Sequence, residues 1–272
     1  MAEKKRLSKV KKTKIIQPNL INKKPATETK RKISPERQED LDYRLFKAVT
    51  AGGVPETDKL AEINRLLNAG ANIETVKIHE PGFNGTPAFI YLASLGQAKI
   101  CALLLLRGAD VNMKNKDGDT ALKQAAYGGC TETCKLLLEN GADVNAKNNY
   151  GETALAHAAR IGYPETCALL IGKGADVNAK ANDGTTALME VAAACGDIKT
   201  CKLLIEKGAD VNANDLFGRT ALRLVIQSGH TKIYKLLKPI VQKHARKILG
   251  EMLGKDAEKF MSHFSECTKG GV

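Results

Sequence analysis

The chain has 272 residues, with 42 Lys or Arg against 30 Asp or Glu, a formal net charge of +12. Apolar residues make up 43% but aromatics only 4%, and Trp is absent, a balance that suits thin layers of Ala and Leu better than one large globular core. No stretch approaches the roughly 18 consecutive apolar residues of a membrane span, and the N-terminus lacks an apolar run long enough for a secretory signal; the expectation is a soluble, cytoplasmic chain, with a nuclear location open.

Residues 1–33 differ in character from the rest of the chain. Residues 1–32 hold 12 Lys or Arg against Glu3 and Glu28, so nearly all the excess charge of the chain sits here. With Pro18, Pro25 and few large apolar groups, the segment reads as a disordered basic tail. Lys11-Lys12-Thr13-Lys14 and Lys30-Arg31-Lys32 suit a nuclear import signal, or an arm that contacts nucleic acid or anionic lipid. The plainer reading is a solubilising leader, because no aromatic residue interleaves to stack on bases.

Ser34-Pro35-Glu36-Arg37 is a helix start, with Ser34 as cap and Pro35 in the first turn. Leu45, Phe46, Ala48 and Val49 predict one helix, and Leu60, Ile63, Leu66 and Leu67 a second. Gly70-Ala71-Asn72-Ile73 closes the unit, and Gly52 to Lys59 is a longer loop between its helices. From Asn72 to Thr86 the chain takes 14 residues, against 8 from Asn145 to Thr153. About six extra residues therefore extend a loop with Phe83 near its tip, either a contact residue on a protruding finger or part of a tolerated insertion. Thr86 to Gly96, like Thr186 to Gly196, is one residue longer than Thr120 to Gly129, which predicts a lengthened first helix or helix turn in both places.

From Asp117 to Asn212 one pattern recurs every 33 to 34 residues. A Gly-x-Thr-Ala-Leu segment leads into an alanine-rich run, then a leucine run, and closes on Gly-Ala-Asp-Val-Asn. Thr120, Thr153, Thr186 and Thr220 stand where a hydroxyl caps a short helix. Cys134, Leu137 and Leu138 give the second helix one apolar stripe, on an element too short to stand alone. Gly141, Gly174 and Gly208 sit where a left-handed residue ends it. The unit is helix, turn, helix, hairpin-like loop, and copies of it must stack.

These segments, Asp117 to Leu122 with Gly129 and Gly141 to Asn145 and their copies at Gly151 to Leu155, Asp183 to Leu188 and Gly218 to Leu222, resemble the ankyrin repeat family. The resemblance covers roughly residues 42–238. It implies an all-α solenoid of about six repeats, near 42–74, 75–112, 113–145, 146–178, 179–212 and 213–238, within a repeat domain spanning 34–238. The family's Thr-Pro-Leu-His histidine is missing, its place taken by Phe89, Lys123, Ala156, Met189 and Arg223, so its hydrogen bonds must come from elsewhere. A default role in binding a partner protein follows from the resemblance.

Cys101, Cys134, Cys167 and Cys201 each stand seven residues before a closing glycine. Helices packed about 8 to 10 Å apart are too distant to bridge such positions by disulfide, so the ladder reads as small buried hydrophobes. The five histidines are scattered, and neither a phosphate-cradling motif nor a nucleophile elbow is found. No catalytic residue, metal or cofactor is assigned, and a non-catalytic adaptor or scaffold is expected.

Residues not committed to the fold are the loop tips before each Thr and the residues just before each mid-repeat Gly, and they are expected to line the concave side. The partner-binding candidates are Phe83, Lys116, Asp119, Tyr127, Tyr150, Glu152, Arg160, Ile161, Leu216, Phe217 and Arg219. Tyr, Phe and Arg are common interface anchors. Residues 239–272 read as a C-terminal capping helix, with Ile240, Val241, His244, Ile248, Leu249, Met252 and Leu253 on one stripe opposite Lys243, Arg246 and Lys247, followed by a frayed tail. A basic amphipathic helix of this kind also suits a membrane surface or a partner's groove. A monomer is expected.

Overall fold

The structure is a computed structural model that describes residues 34–72, 76–78 and 85–253. The basic segment 1–33, the finger residue Phe83 and the tail 254–272 lie outside the described residues. Among those described are twelve α-helices: α1 (Pro35–Thr50), α2 (Glu56–Asn68), α3 (Ala88–Ser94), α4 (Ala98–Leu106), α5 (Ala121–Tyr127), α6 (Thr131–Glu139), α7 (Ala154–Ile161), α8 (Pro164–Gly172), α9 (Ala187–Ala193), α10 (Ile198–Glu206), α11 (Ala221–Ser228) and α12 (Thr231–Leu253). One two-stranded antiparallel sheet pairs β1 (Lys77–Ile78) with β2 (Thr86–Pro87). The class is all-α, as the repeat pattern predicts.

The helices pair consecutively, α1 with α2 through α11 with α12, and the pairs stack in two rows. The odd-numbered helices form one row and the even-numbered the other, each packed on the next of its row. Short side chains make this possible. Ala121, Ala125 and Ala126 on α5, and Ala158 and Ala159 on α7, are fully buried, so first helices approach closely. Cys101, Cys134, Cys167 and Cys201 fill one buried position of the second row, beside Leu104, Leu137, Leu170 and Leu204. Burial pushes each of these four thiols up to about 12, which leaves them as inert packing groups.

Local chemistry sets the helix ends. The hydroxyls of Thr120, Thr153, Thr186 and Thr220 accept the amide N–H three residues on, at 3.3 to 3.4 Å, the N-cap geometry their sequence positions predict. At the other end, Gly141 holds φ 87°, and the Ala142 N–H donates to the Leu137 carbonyl at 3.0 Å, a Schellman closure repeated at Ala109, Ala175 and Ala209.

Successive units are also joined lengthwise. Asn112 Nδ2 donates to the Gly141 carbonyl, and its Oδ1 accepts the Asp143 N–H. Asn145 and Asn178 repeat both bonds to the next unit. Lys114 Nζ reaches the Lys147 carbonyl and Lys147 Nζ the Lys180 carbonyl. At the loop tips the Asn149 N–H donates to Asp117 O, the Asn182 N–H to Tyr150 O and the Leu216 N–H to Asp183 O, at 2.9 to 3.0 Å.

Three expectations are revised and one is narrowed to one of its alternatives. α2 starts at Glu56, capped by Pro55, so the loop before it is shorter than Gly52 to Lys59. In the second unit the cap position is Pro87, not Thr86: α3 begins at Ala88, and Lys77 pairs with Pro87 as Lys114 pairs with Thr120. The apparent extra residue there is a shift of register by one, and the family's histidine position falls on Ile90 rather than Phe89. The extra residue before Gly196 is real but lies in the turn, since α9 has seven residues like α5. Finally, the C-terminal helix is not separate from the last repeat unit at residues 238 and 239; one 23-residue helix, α12, runs from Thr231 through Pro239 to Leu253.

Gly151 tests how tightly the loops abut. It holds φ 76°, and a Cβ there would lie 2.7 Å from the Asn182 backbone N, whereas a Cβ on Gly141 would meet nothing within 4 Å. Gly141→Ala should cost about 1 kcal/mol from the left-handed backbone alone. Gly151→Ala should cost about 2 to 3 kcal/mol, because the next loop must also move. Urea unfolding of the two variants compares these costs, and equal midpoints would refute the close approach.

Candidate functional site

In the last four units the loop ends on the Thr that caps the first helix, Thr120, Thr153, Thr186 or Thr220, so the residues just before that Thr and those near the helix's far end flank one row of helices. The candidates divide there into two groups. Tyr127, Tyr150, Ile161, Leu216 and Phe217 are exposed, from 36% for Ile161 to 76% for Leu216. Lys116 is exposed as well, its carbonyl accepting from Asn149 Nδ2. Phe217 carries the Arg219 guanidinium 4.9 Å above its ring. The Tyr127 ring meets the His157 ring edge-on at 5.7 Å.

The other charged candidates, Asp119, Glu152, Arg160 and Arg219, are committed to ion pairs within the stack, contrary to the expectation that loop tips are free. Asp119 is buried, and its Oδ1 takes Lys123 Nζ at 2.6 Å and Asn148 Nδ2 at 3.0 Å, while Gln124 Nε2 donates to Oδ2. Lys123, with a side chain only 2% exposed, also reaches Glu152 Oε2 at 3.4 Å. Glu152 accepts from Asn148 Nδ2 at 3.1 Å and pairs with His157 Nε2 at 3.0 Å and with Arg160. Arg160 in turn forks onto both oxygens of Glu190, at 2.7 and 2.9 Å. Arg219 binds Asp215 Oδ2 at 2.6 Å. A chain of alternating charge thus crosses three successive units, because each loop tip overlies the first helix of its own unit and borders the next.

The network shifts its members' proton affinities. The hydrogen bond from His157 holds Glu152 well below the ordinary carboxylate range against the opposing effect of burial, with Arg160 adding to the depression. The Glu190 and Glu152 carboxylates raise Arg160 further above its ordinary value, against burial. Beside the network a cleft of about 280 Å³ is lined by Tyr150, Glu152, Arg160, Ala181, Asn182, Asp183 and Glu190. No group of His, Cys, Asp or Glu suited to a metal ion occurs among the described residues, and no described helix is long and apolar enough to cross a membrane.

Sequence reasoning missed Lys123, His157 and Glu190 as members. The spacing of Asp119 and Lys123, four apart across the start of α5, is a readable signal for the first pair. Nothing local ties Arg160 to Glu190, 30 residues on.

Because its folded value lies below its unfolded one, Glu152 stabilises the fold in full above the ordinary carboxylate value of 4.5 and loses that contribution as pH falls below it. Glu152→Gln should lower stability by about 1 to 3 kcal/mol at neutral pH, with Arg160 and Lys123 each left one carboxylate short. The gap to the unsubstituted chain should close as the pH is taken down from 4.5. Thermal melting across this range checks it, and a gap independent of pH would refute the assignment.

A family model described as "Ankyrin repeats (3 copies)" matches residues 58–148, 89–181 and 155–247. Comparison with the curated proteins finds no match. The three overlapping matches run unbroken from the second helix of the stack into its last, over well more than half of the sequence, and the chain belongs to the ankyrin repeat family.

Proposed function

We propose that this chain is a non-catalytic adaptor that binds a partner protein along the loop tips and first-helix ends of its stack. Ankyrin repeats generally mediate protein–protein interaction and are typically non-catalytic modules. The observation that carries the reading for this chain is the row of large exposed side chains, Tyr127, Tyr150, Ile161, Leu216 and Phe217, on a protein with few aromatics. Apolar groups held out on rigid, hydrogen-bonded loops gain area on binding at little ordering cost. Lys116 adds positive charge beside them, and Arg219, paired with Asp215, stacks on Phe217. Asp119, Glu152 and Arg160 shape the surface by holding neighbouring units in register.

Residues 1–32, with their net charge of +10 from 12 bases and two acids, favour a second reading: the basic arm seeks nucleic acid or an anionic surface, and the repeats tether it. Binding through the arm would weaken steeply with salt.

The test uses three baits in affinity capture from cell lysate: the full chain, the chain lacking residues 1–32, and a Tyr150→Ala/Leu216→Ala/Phe217→Ala variant. These three positions are chosen because each is at least 62% exposed, whereas replacing Arg160 would unmake its ion pairs. A protein partner retained without the arm and lost with the triple variant is the expected result, each truncation weakening affinity roughly tenfold. Recovery that follows the arm and disappears with nuclease or high salt would assign the function to the tail.

A further inference from the structure

The helix that ends the stack has two different halves. In its first two turns α12 serves as the second helix of a unit, with Ile233 and Leu237 fully buried where it packs on α11 and α10. Next comes Pro239, which has no N–H to give the preceding turn. Beyond it no described side chain is buried: Ile240 and Val241 are half-buried, and residues 242–248 are exposed, Ile248 at 51%. The backbone nevertheless stays helical to Leu253.

The apolar stripe does not stop where the packing stops. Ile233, Leu237, Ile240, Val241, His244 and Ile248 keep spacings of three and four, so a stripe that begins as core passes through the half-buried Ile240 and Val241 and ends exposed at Ile248. Lys232, Lys235, Lys238, Lys243 and Arg246 fall on the other side of the same helix, with Lys247, seven residues after Ile240, at the border. The helix has six bases and a single acid, Glu251, whose contact with Lys247 is loose at 3.8 Å between exposed side chains.

We propose that the part of α12 beyond Pro239 is an anchor for anionic phospholipid, lying in the plane of the bilayer surface with the Ile240–Ile248 stripe among the acyl-chain ends and the bases on the headgroup phosphates. A basic polar face combined with an exposed apolar stripe and low mean hydropathy is the arrangement that binds such surfaces. The charge decides among occupants. A second copy seated on the stripe would bring together two helices each with a net charge of +5 from six bases and one acid. Nucleic acid would satisfy the bases but leave Ile248 in water. This site is separate from the partner surface proposed above.

Flotation of the full chain with phosphatidylcholine vesicles, and with vesicles in which one third of the lipid is phosphatidylserine, tests it. The unsubstituted chain should float only with the anionic vesicles. Ile248→Asp should lower its partitioning about tenfold, and Lys243→Gln/Arg246→Gln/Lys247→Gln about a hundredfold, while Ile248→Leu should leave it unchanged. The basic arm is present in every variant, so these differences report on α12. The melting midpoint should not move, since the substituted side chains are exposed. The proposal is overturned by any of four results: no flotation of the unsubstituted chain; flotation indifferent to Ile248→Asp, which would assign binding to charge alone or to the arm; a dimer that Ile248→Asp dissolves; or a lowered melting midpoint for Ile248→Asp.

Discussion

The helices from α3 to α11 are seven to nine residues long, and a helix of that length does not persist in water by its own hydrogen bonds. Everything else in the stack depends on burying each helix against the unit before and the unit after. Alanines in the first row and the cysteine-leucine pairs in the second are the side chains that permit this, small enough for close approach and apolar enough to hold it. The asparagine bonds from Asn112, Asn145 and Asn178 and the edge-to-edge loop bonds then carry the same register along the opposite side of each unit. Stability in such an array is nearly a sum over neighbouring interfaces, so a fault in one loop is felt mainly by the units that touch it.

That arrangement explains why charge is buried at all in so thin a protein. The place where the family has a histidine is occupied in the 113–145 unit by Lys123, and a buried ammonium must find carboxylates. It finds one on its own unit, Asp119, and one on the next, Glu152; Glu152 is shared with His157 and Arg160, and Arg160 passes the pairing to Glu190. The network costs desolvation and recovers it through well-formed hydrogen bonds, so its contribution lies as much in fixing the register of three units as in net stability. It also leaves the exposed Tyr, Leu and Phe side chains as the groups free to meet a partner.

The two ends of the stack are finished differently. At the first, α1 is a 16-residue helix whose Leu41, Leu45 and Val49 turn inward at spacings of four, and its charged remainder faces water. At the other, α12 covers the last unit with two turns and then continues as an amphipathic helix on which no described side chain is buried. A cap alone needs no more than the covered part.

The repeat period, the threonine caps, the closing glycines, the pairing of a first and second helix and the burial of the cysteine ladder are all legible in the chain's residues. All of these rest on interactions within about four residues of chain or on a pattern copied in register. The tertiary structure is what puts Pro87 rather than Thr86 at the cap position of α3, because a one-residue shift inside an enlarged loop is settled by which strand residues pair. It also links Asp119, Glu152 and Arg160 into one network through Lys123 and Asn148 and leaves Tyr150, Leu216 and Phe217 exposed, since the bonds that cross units, Lys123 to Glu152 and Arg160 to Glu190, join residues 29 and 30 apart that become neighbours only when the units stack. The same holds for α12: its amphipathic spacing is written in the sequence, but where the stack ends beneath it is a matter of packing.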